Sequence, residues 1–229
     1  MTFIRRTVLH VSTAALVGLA STLAWAQTVT TPETAAFRQT QADDYTRYEL
    51  LDPSSASFRI LYEVTATTPG ARYFWNPIRK GSVASNESVT DPASGLPLKF
   101  AEVSGVEARS NGFGGASADT RYIQIELPRP VPRDGEIRLL IDKTYKDEKS
   151  YFVEPETGFI VFSRSLGIKR NAVVLPAGYE AVACNYPSQV FSEPMAEVEG
   201  HPPGTRLRLS FMNIGPDAVS YVVKARRTK

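Results

Sequence analysis

The sequence predicts an all-β protein, an antiparallel β-sandwich. Apolar residues recur mostly at every second position from Tyr45 onward, turn chemistry interrupts the chain roughly every 8–12 residues, and prolines exclude a long helix from the longest connectors. Residues 57–66 show the pattern best. Phe58, Ile60, Tyr62 and Val64 share one face, and Arg59, Leu61, Glu63 and Thr65 share the other. Residues 45–51 form a strand ended by Asp52-Pro53, and residues 71–75 form another, opened by Pro69-Gly70 and closed by Asn76-Pro77. Residues 82–90 form a third, ended by Asp91-Pro92 and Ser94-Gly95. Residues 96–109 read as a strand pair or one bent strand, and residues 110–120 (SNGFGGASADT) as a mobile hairpin loop too rich in Gly and Ser to pack. Strands over residues 121–127 and 136–145 flank a connector with three prolines, which forbid a helix there. The alternation continues over residues 159–163, 172–175, 179–185, 206–211 and 220–225, with Arg206, Arg208 and Ser210 giving the penultimate strand a basic outer face. The region 45–229 fits one sandwich, and YKDEKSY at residues 145–151 marks where it would divide into two sub-sandwiches.

The first 26 residues read as an export signal. Arg5 and Arg6 supply a basic start, residues 8–23 a mostly apolar stretch, and Ala24-Trp25-Ala26 a cleavage site before Gln27. The longest uninterrupted apolar run, residues 14–20, is short of the roughly 20 residues a transmembrane helix needs. Arg5-Arg6 also fits a twin-arginine signal, but Ile4 stands where that motif carries Ser or Thr, so general secretion is the better reading. Residues 27–44 are polar and Thr/Gln-rich, a flexible lead-in. A periplasmic or secreted location is therefore expected.

Removing the leader leaves 229 − 26 = 203 residues and balances 26 − 2 = 24 bases against 24 acids, with His201 and Cys184 the only imidazole and thiol. Neutrality argues against nucleic acid. One His and one Cys cannot assemble a structural zinc site, so no metal or cofactor is expected. His201 sits in a Pro/Gly-rich turn as a solvated loop residue, and Cys184 on the apolar side of its strand behaves as a small hydrophobe. No catalytic residue is assigned.

The binding candidates are basic and aromatic. Tyr73-Phe74-Trp75-Asn76-Pro77-Ile78-Arg79-Lys80 is the densest such cluster. Consecutive aromatics in a strand project to both faces, so Trp75 either plugs the core or covers a surface where Arg79 and Lys80 meet an anionic or glycan ligand. Lys169, Arg170 and Asn171 form a second basic turn, a candidate rim for the same site.

The order of turns resembles the N-terminal β-sandwich, or saddle, domain of gluzincin-type zinc aminopeptidases. The residues that carry the resemblance are Val89-Thr90-Asp91-Pro92-Ala93-Ser94-Gly95-Leu96-Pro97-Leu98, the run Ile123-Gln124-Ile125-Glu126-Leu127 with its proline-rich link to residues 136–145, and the return Glu156-Thr157-Gly158-Phe159. It covers residues 45–176. Those enzymes carry H-E-x-x-H in a separate domain, and that motif does not occur in this sequence. The resemblance implies the sandwich without its enzyme.

The expectation is thus a non-catalytic secreted or periplasmic β-sandwich that binds a protein or glycan partner in the cell envelope. Two alternatives stand beside it. One is a hydrolase using two of Asp142, Asp147, Glu148, Glu154 and Glu156. The other is an envelope assembly subunit that offers an unpaired sheet edge to a partner strand.

Overall fold

The computed structural model describes residues 44–195 and 204–228; the leader, most of the lead-in and His201 lie outside the described residues. Fourteen strands form three sheets: β1 (Tyr45–Leu50), β2 (Ser57–Ala66), β3 (Tyr73–Ile78), β4 (Val83–Thr90), β5 (Phe100–Ser104), β6 (Arg121–Glu126), β7 (Ile137–Lys146), β8 (Tyr151–Val153), β9 (Ile160–Leu166), β10 (Arg170–Val174), β11 (Tyr179–Cys184), β12 (Gln189–Met195), β13 (Gly204–Met212) and β14 (Val219–Arg227). A seven-stranded sheet runs β12-β13-β10-β1-β2-β7-β4, a four-stranded sheet β11-β14-β9-β8, and a three-stranded sheet β3-β6-β5. Among the described residues every pairing is antiparallel except β1 with β10, where Tyr45 lies opposite Arg170. The fold is all-β, as the period-two pattern predicts.

Alternation decides which residues meet. Phe58 and Ile60 on β2 and Tyr48 on β1 point inward from the large sheet, and Phe162 and Tyr221 point back from the four-stranded one. Phe162 packs edge-on against Phe58 at 5.4 Å between ring centroids, and Tyr221 stacks on Phe211 of β13 at 4.4 Å. Burying such a ring stabilises the fold by about 1.5–3 kcal/mol relative to leaving it in water. One buried cluster draws residues from all three sheets, including Ile78, Ile123 and Ile125 of the small one, and from both sides of the 145–151 segment.

The structure departs from the sequence reading in several places. Strand β3 runs on through Asn76 and Pro77, which pairs with Tyr122. A proline is tolerated there because β3 is an edge, with no ladder bond required on its open side. The same reason admits Pro194 into edge strand β12, which the sequence reading omits. Lastly, residues 105–110 are a helix, α1 (Gly105–Ser110), rather than strand. Ser104 accepts from the Glu107 backbone and Glu107 reaches back to the Ser104 backbone, a reciprocal cap that starts the helix.

The Gly/Ser-rich segment after α1 packs. Phe113 stacks on Trp75 at 5.5 Å with planes 12° apart, Ala116 is 2% exposed, and the Tyr122 hydroxyl accepts from the Ser117 backbone. Two aromatic partners elsewhere in the chain, Trp75 and Tyr122, supply what its own composition lacks.

Candidate functional site

A cleft of about 800 Å³ opens where two turns meet strand β9, lined by Arg79, Lys80, Lys146, Lys149 and Arg164 against the acids Asp147 and Glu148, with Ser150, Ser163, Ser165 and Ser220 between them. The first turn joins β3 to β4. The Ser82 backbone donates to the Arg79 carbonyl, and Gly81 takes φ +88° at the third position, a conformation that glycine adopts without strain. That geometry leaves Arg79 and Lys80 at the exposed tip.

The second turn joins β7 to β8 and is organised by Asp147. Its carboxylate accepts from the Lys149 and Ser150 backbones, each at 3.1 Å, from the Ser150 hydroxyl at 2.7 Å and from the Ser82 hydroxyl at 3.2 Å, so it ties the two turns together. Burial raises the Asp147 pKa, but these bonds and the Arg164 charge outweigh it and hold the carboxyl below its ordinary value.

Arg164 forms the floor. It lies on β9 at the parity of Ile160, Phe162 and Leu166, all core-facing, and its side chain is 7% exposed. The guanidinium reaches Asp147 and the Ser150 hydroxyl, both at 3.3 Å, and sits over the rings of Phe58 (5.2 Å), Tyr145 (5.5 Å) and Tyr48 (5.9 Å). Burial lowers its pKa, yet an arginine keeps its charge. A second inward-facing cation, Lys143, follows Ile137, Leu139 and Ile141 on β7, donates to the Asn76 side chain and lies 4.9 Å from the Tyr145 ring centroid. Burial raises the Tyr145 pKa, offset in part by the Arg79 main chain and the Arg164 charge.

The balance of charge is what the cleft can use. Lys146 has a loose 3.8 Å contact with Glu148, Lys80 an exposed 3.2 Å pair with Asp119, and neither Arg79 nor Lys149 has a carboxylate partner among the described residues. Cations with incomplete pairing beside serine hydroxyls suit an anion. Among the described residues, no group of three or more His, Cys, Asp or Glu converges as metal ligands do.

The residues proposed from sequence fall in three clefts, except Lys169. Arg79 and Lys80 lie in the basic cleft. Trp75 lies in a separate groove with Tyr73, Phe113 and Tyr62. Arg170 and Asn171 line a third cleft with Tyr45, Gln189 and Met212, and as neighbours on β10 they point to opposite faces of the sheet. Lys169 donates to the Gly215 carbonyl and so closes a loop. The structure adds Lys146, Lys149 and Arg164 to Arg79 and Lys80, and alternation offered one signal: Arg164 and Lys143 are cations at core parity.

Other charges are spoken for. Arg47 forms a two-pronged pair with Glu193 (2.7 and 3.0 Å), Arg206 reaches Glu49 (3.3 Å), and Arg208 meets Glu193 (3.0 Å), so the basic outer face of β13 is neutralised. Of the carboxylates offered for hydrolysis, Asp142 pairs with Arg59 at 2.5 Å and Glu154 with Lys224 at 2.6 Å. Cys184 packs half-buried against the core, its thiol directed to the Tyr186 carbonyl.

No family model and no curated protein matches the chain. Among solved structures it is similar to a two-domain M1 zinc metallopeptidase bound to L-tryptophan, with a TM-score of 0.46, 12% identity, and coverage of 80% of this chain and 41% of that one. An M1 zinc metallopeptidase from Deinococcus radiodurans gives a TM-score of 0.46 at 12% identity, covering 80% of this chain and 40% of the other. For an aminopeptidase N family protein from Idiomarina loihiensis the values are 0.43, 10%, 80% and 29%. The chain thus spans less than half the length of each.

Proposed function

We propose that the protein is an exported, non-catalytic binding module whose basic cleft holds an anionic group of an envelope partner, protein or glycan. The observation that carries this reading is the cation excess at one place: among the described residues Arg79, Lys80, Lys146, Lys149 and Arg164 line a cleft with the acids Asp147 and Glu148, and Asp119 pairs with Lys80 beside it. With 26 bases against 24 acids over the full chain, such a cluster raises the local concentration of anions. The pairing of Asp142 and Glu154 with bases supports binding over carboxylate catalysis.

The sheet edges support a side-chain site over strand addition. Among the described residues, β12 carries Pro194, β3 carries Pro77, β4 is bulged between Ser85 and Ser88, β11 shifts register between Ala181 and Ala183, and β8 and β5 are short. These are the devices that blunt an edge against pairing.

The test is retention of the full chain on immobilised oligogalacturonate and on immobilised polyglutamate, which present carboxylates on a glycan and on a peptide. Retention on either column that disappears in Arg79→Glu/Lys149→Glu supports the cleft, and the column that retains the protein names the partner class. Equal retention of the native and charge-reversed chains on both columns, or none by the native chain on either, would overturn it.

A further inference from the structure

We infer that the groove beside Trp75 is a second binding site, for an uncharged saccharide. It has a volume of about 380 Å³, within the roughly 300–1,000 Å³ range of small-molecule clefts, and lies between the end of β2, the Thr67–Ala71 link and the open edge of β3. Tyr62, Tyr73, Phe74, Trp75 and Phe113 supply rings; Thr65, Thr67, Thr68 and Asn76 supply hydroxyls and an amide; among the described residues no charged side chain lines it. This composition is the converse of the basic cleft, although both lie along one strand and the turn that follows it.

The rings are arranged as a wall. Trp75 stacks on Phe113 at 5.5 Å, and Tyr73 leans against Trp75 at 5.9 Å with its plane tilted 52°. Tyr73 is 38% exposed, so part of its ring is open to a ligand. Aromatic faces carry negative quadrupole charge and favour the C–H faces of a sugar ring, which are weakly positive. The sugar's hydroxyls need donors and acceptors, and the threonine hydroxyls provide both, whereas the Asn76 amide oxygen is engaged by Lys143. Thr65 is 5% exposed and its hydroxyl has no hydrogen-bond partner among the described residues, a buried polar group in the groove's wall. An anionic ligand finds no counter-charge in this groove, and a purely apolar one leaves the threonine hydroxyls unpaired.

Trp25 and Trp75 are the two tryptophans of the chain, so the full chain carrying Trp25→Phe reports on this groove through a single indole. Titration with cellotetraose, chitotetraose and maltotetraose should give a saturable change in indole emission with at least one, at millimolar concentration or below. Tyr73→Ala should weaken that binding roughly five- to tenfold, the loss of one ring contact, while Arg79→Glu leaves it unchanged. Tyr73 is exposed enough that its removal should leave the thermal transition in place. No saturable change with any of the three sugars, undiminished binding by Tyr73→Ala, or loss in Arg79→Glu would each overturn the assignment. None of these outcomes decides retention on the acidic columns, so the two sites stand or fall separately.

Discussion

Lys143 on β7 donates a hydrogen bond to the side-chain oxygen of Asn76 on β3, and this polar contact joins the seven-stranded sheet to the three-stranded one inside the core. Both residues are buried. Burial, reinforced by the neighbouring Arg164 charge, lowers the Lys143 pKa to about 7. Between that value and the ordinary value of 10.5 the unfolded chain binds a proton that the folded chain does not, so stability rises with pH across this window. The expected slope is at most about 1.4 kcal/mol per pH unit. Urea melts at pH 7, 8 and 9 should show the midpoint climbing in the native chain and flattening in Lys143→Met. The slope is the informative readout, since the variant also strips Asn76 of its donor.

Asp147 and Arg164 should be far more sensitive to loss of one partner than to loss of both. Their side chains are 9% and 7% exposed, so Asp147→Asn leaves a buried guanidinium without its counter-charge. A loss of about 3 kcal/mol in unfolding free energy is expected. The double variant Asp147→Asn/Arg164→Met should recover part of it. The Asp147 pKa is depressed, so its contribution is present above the unfolded carboxyl value and fades as pH falls through the folded one. Chemical denaturation at pH 7 and pH 3 should therefore show the native chain and Asp147→Asn converging on acidification.

Much of this arrangement is legible along the chain because it depends on parity. The alternation of β2 and β7 gives their inward faces directly, and the same alternation exposes Lys143 and Arg164 as cations where apolar residues belong. What parity cannot supply is proximity. Arg79 and Arg164 are brought together by a turn between β3 and β4 and by the packing of β9 against the large sheet, through contacts such as Phe58 with Phe162. Prolines mislead for a related reason: Asn76-Pro77 reads as a break, and becomes strand only because β3 lies at a sheet edge. The segment after α1 has the composition of a loose loop, and only its partners, Trp75 far along the chain and Tyr122 just beyond its end, show why it packs.

Binding in the basic cleft should be strongly salt-dependent. Arg79, Lys80 and Lys149 are exposed, and charges in contact with solvent are screened over about 10 Å at 0.1 M salt and about 3 Å at 1 M. Retention on an acidic column should fall steadily as sodium chloride is raised through that range. Arg79→Gln should lower the salt needed for elution, and Arg79→Lys should restore most of it. Arg164→Lys should restore less than a rim lysine does, because its fork lies among Asp147, Ser150 and three rings and an ammonium cannot reproduce that geometry.

Gly105 tests whether the segment after α1 holds the aromatic wall in place. A Cβ built on Gly105 would lie 1.8 Å from the Ser117 carbonyl oxygen and 2.7 Å from its carbon, both backbone atoms. The helix therefore needs a glycine here for close approach to that segment, whatever alanine gains in helix propensity. Arg109 donates to the Ala116 carbonyl at 2.6 Å and the Ser117 backbone donates to the Tyr122 hydroxyl at 2.9 Å, so the segment is clamped on both sides and cannot yield freely. Gly105→Ala should cost about 1–3 kcal/mol as an overpacking change. It should also push Phe113 off the Trp75 ring, seen as a red shift of indole emission in the chain carrying Trp25→Phe. Val106→Ala, next to it on the same helix but 59% exposed, is the control and should change neither the melt nor the emission. A Gly105→Ala protein with native stability and unshifted emission would show that the helix and the aromatic wall are independent of one another.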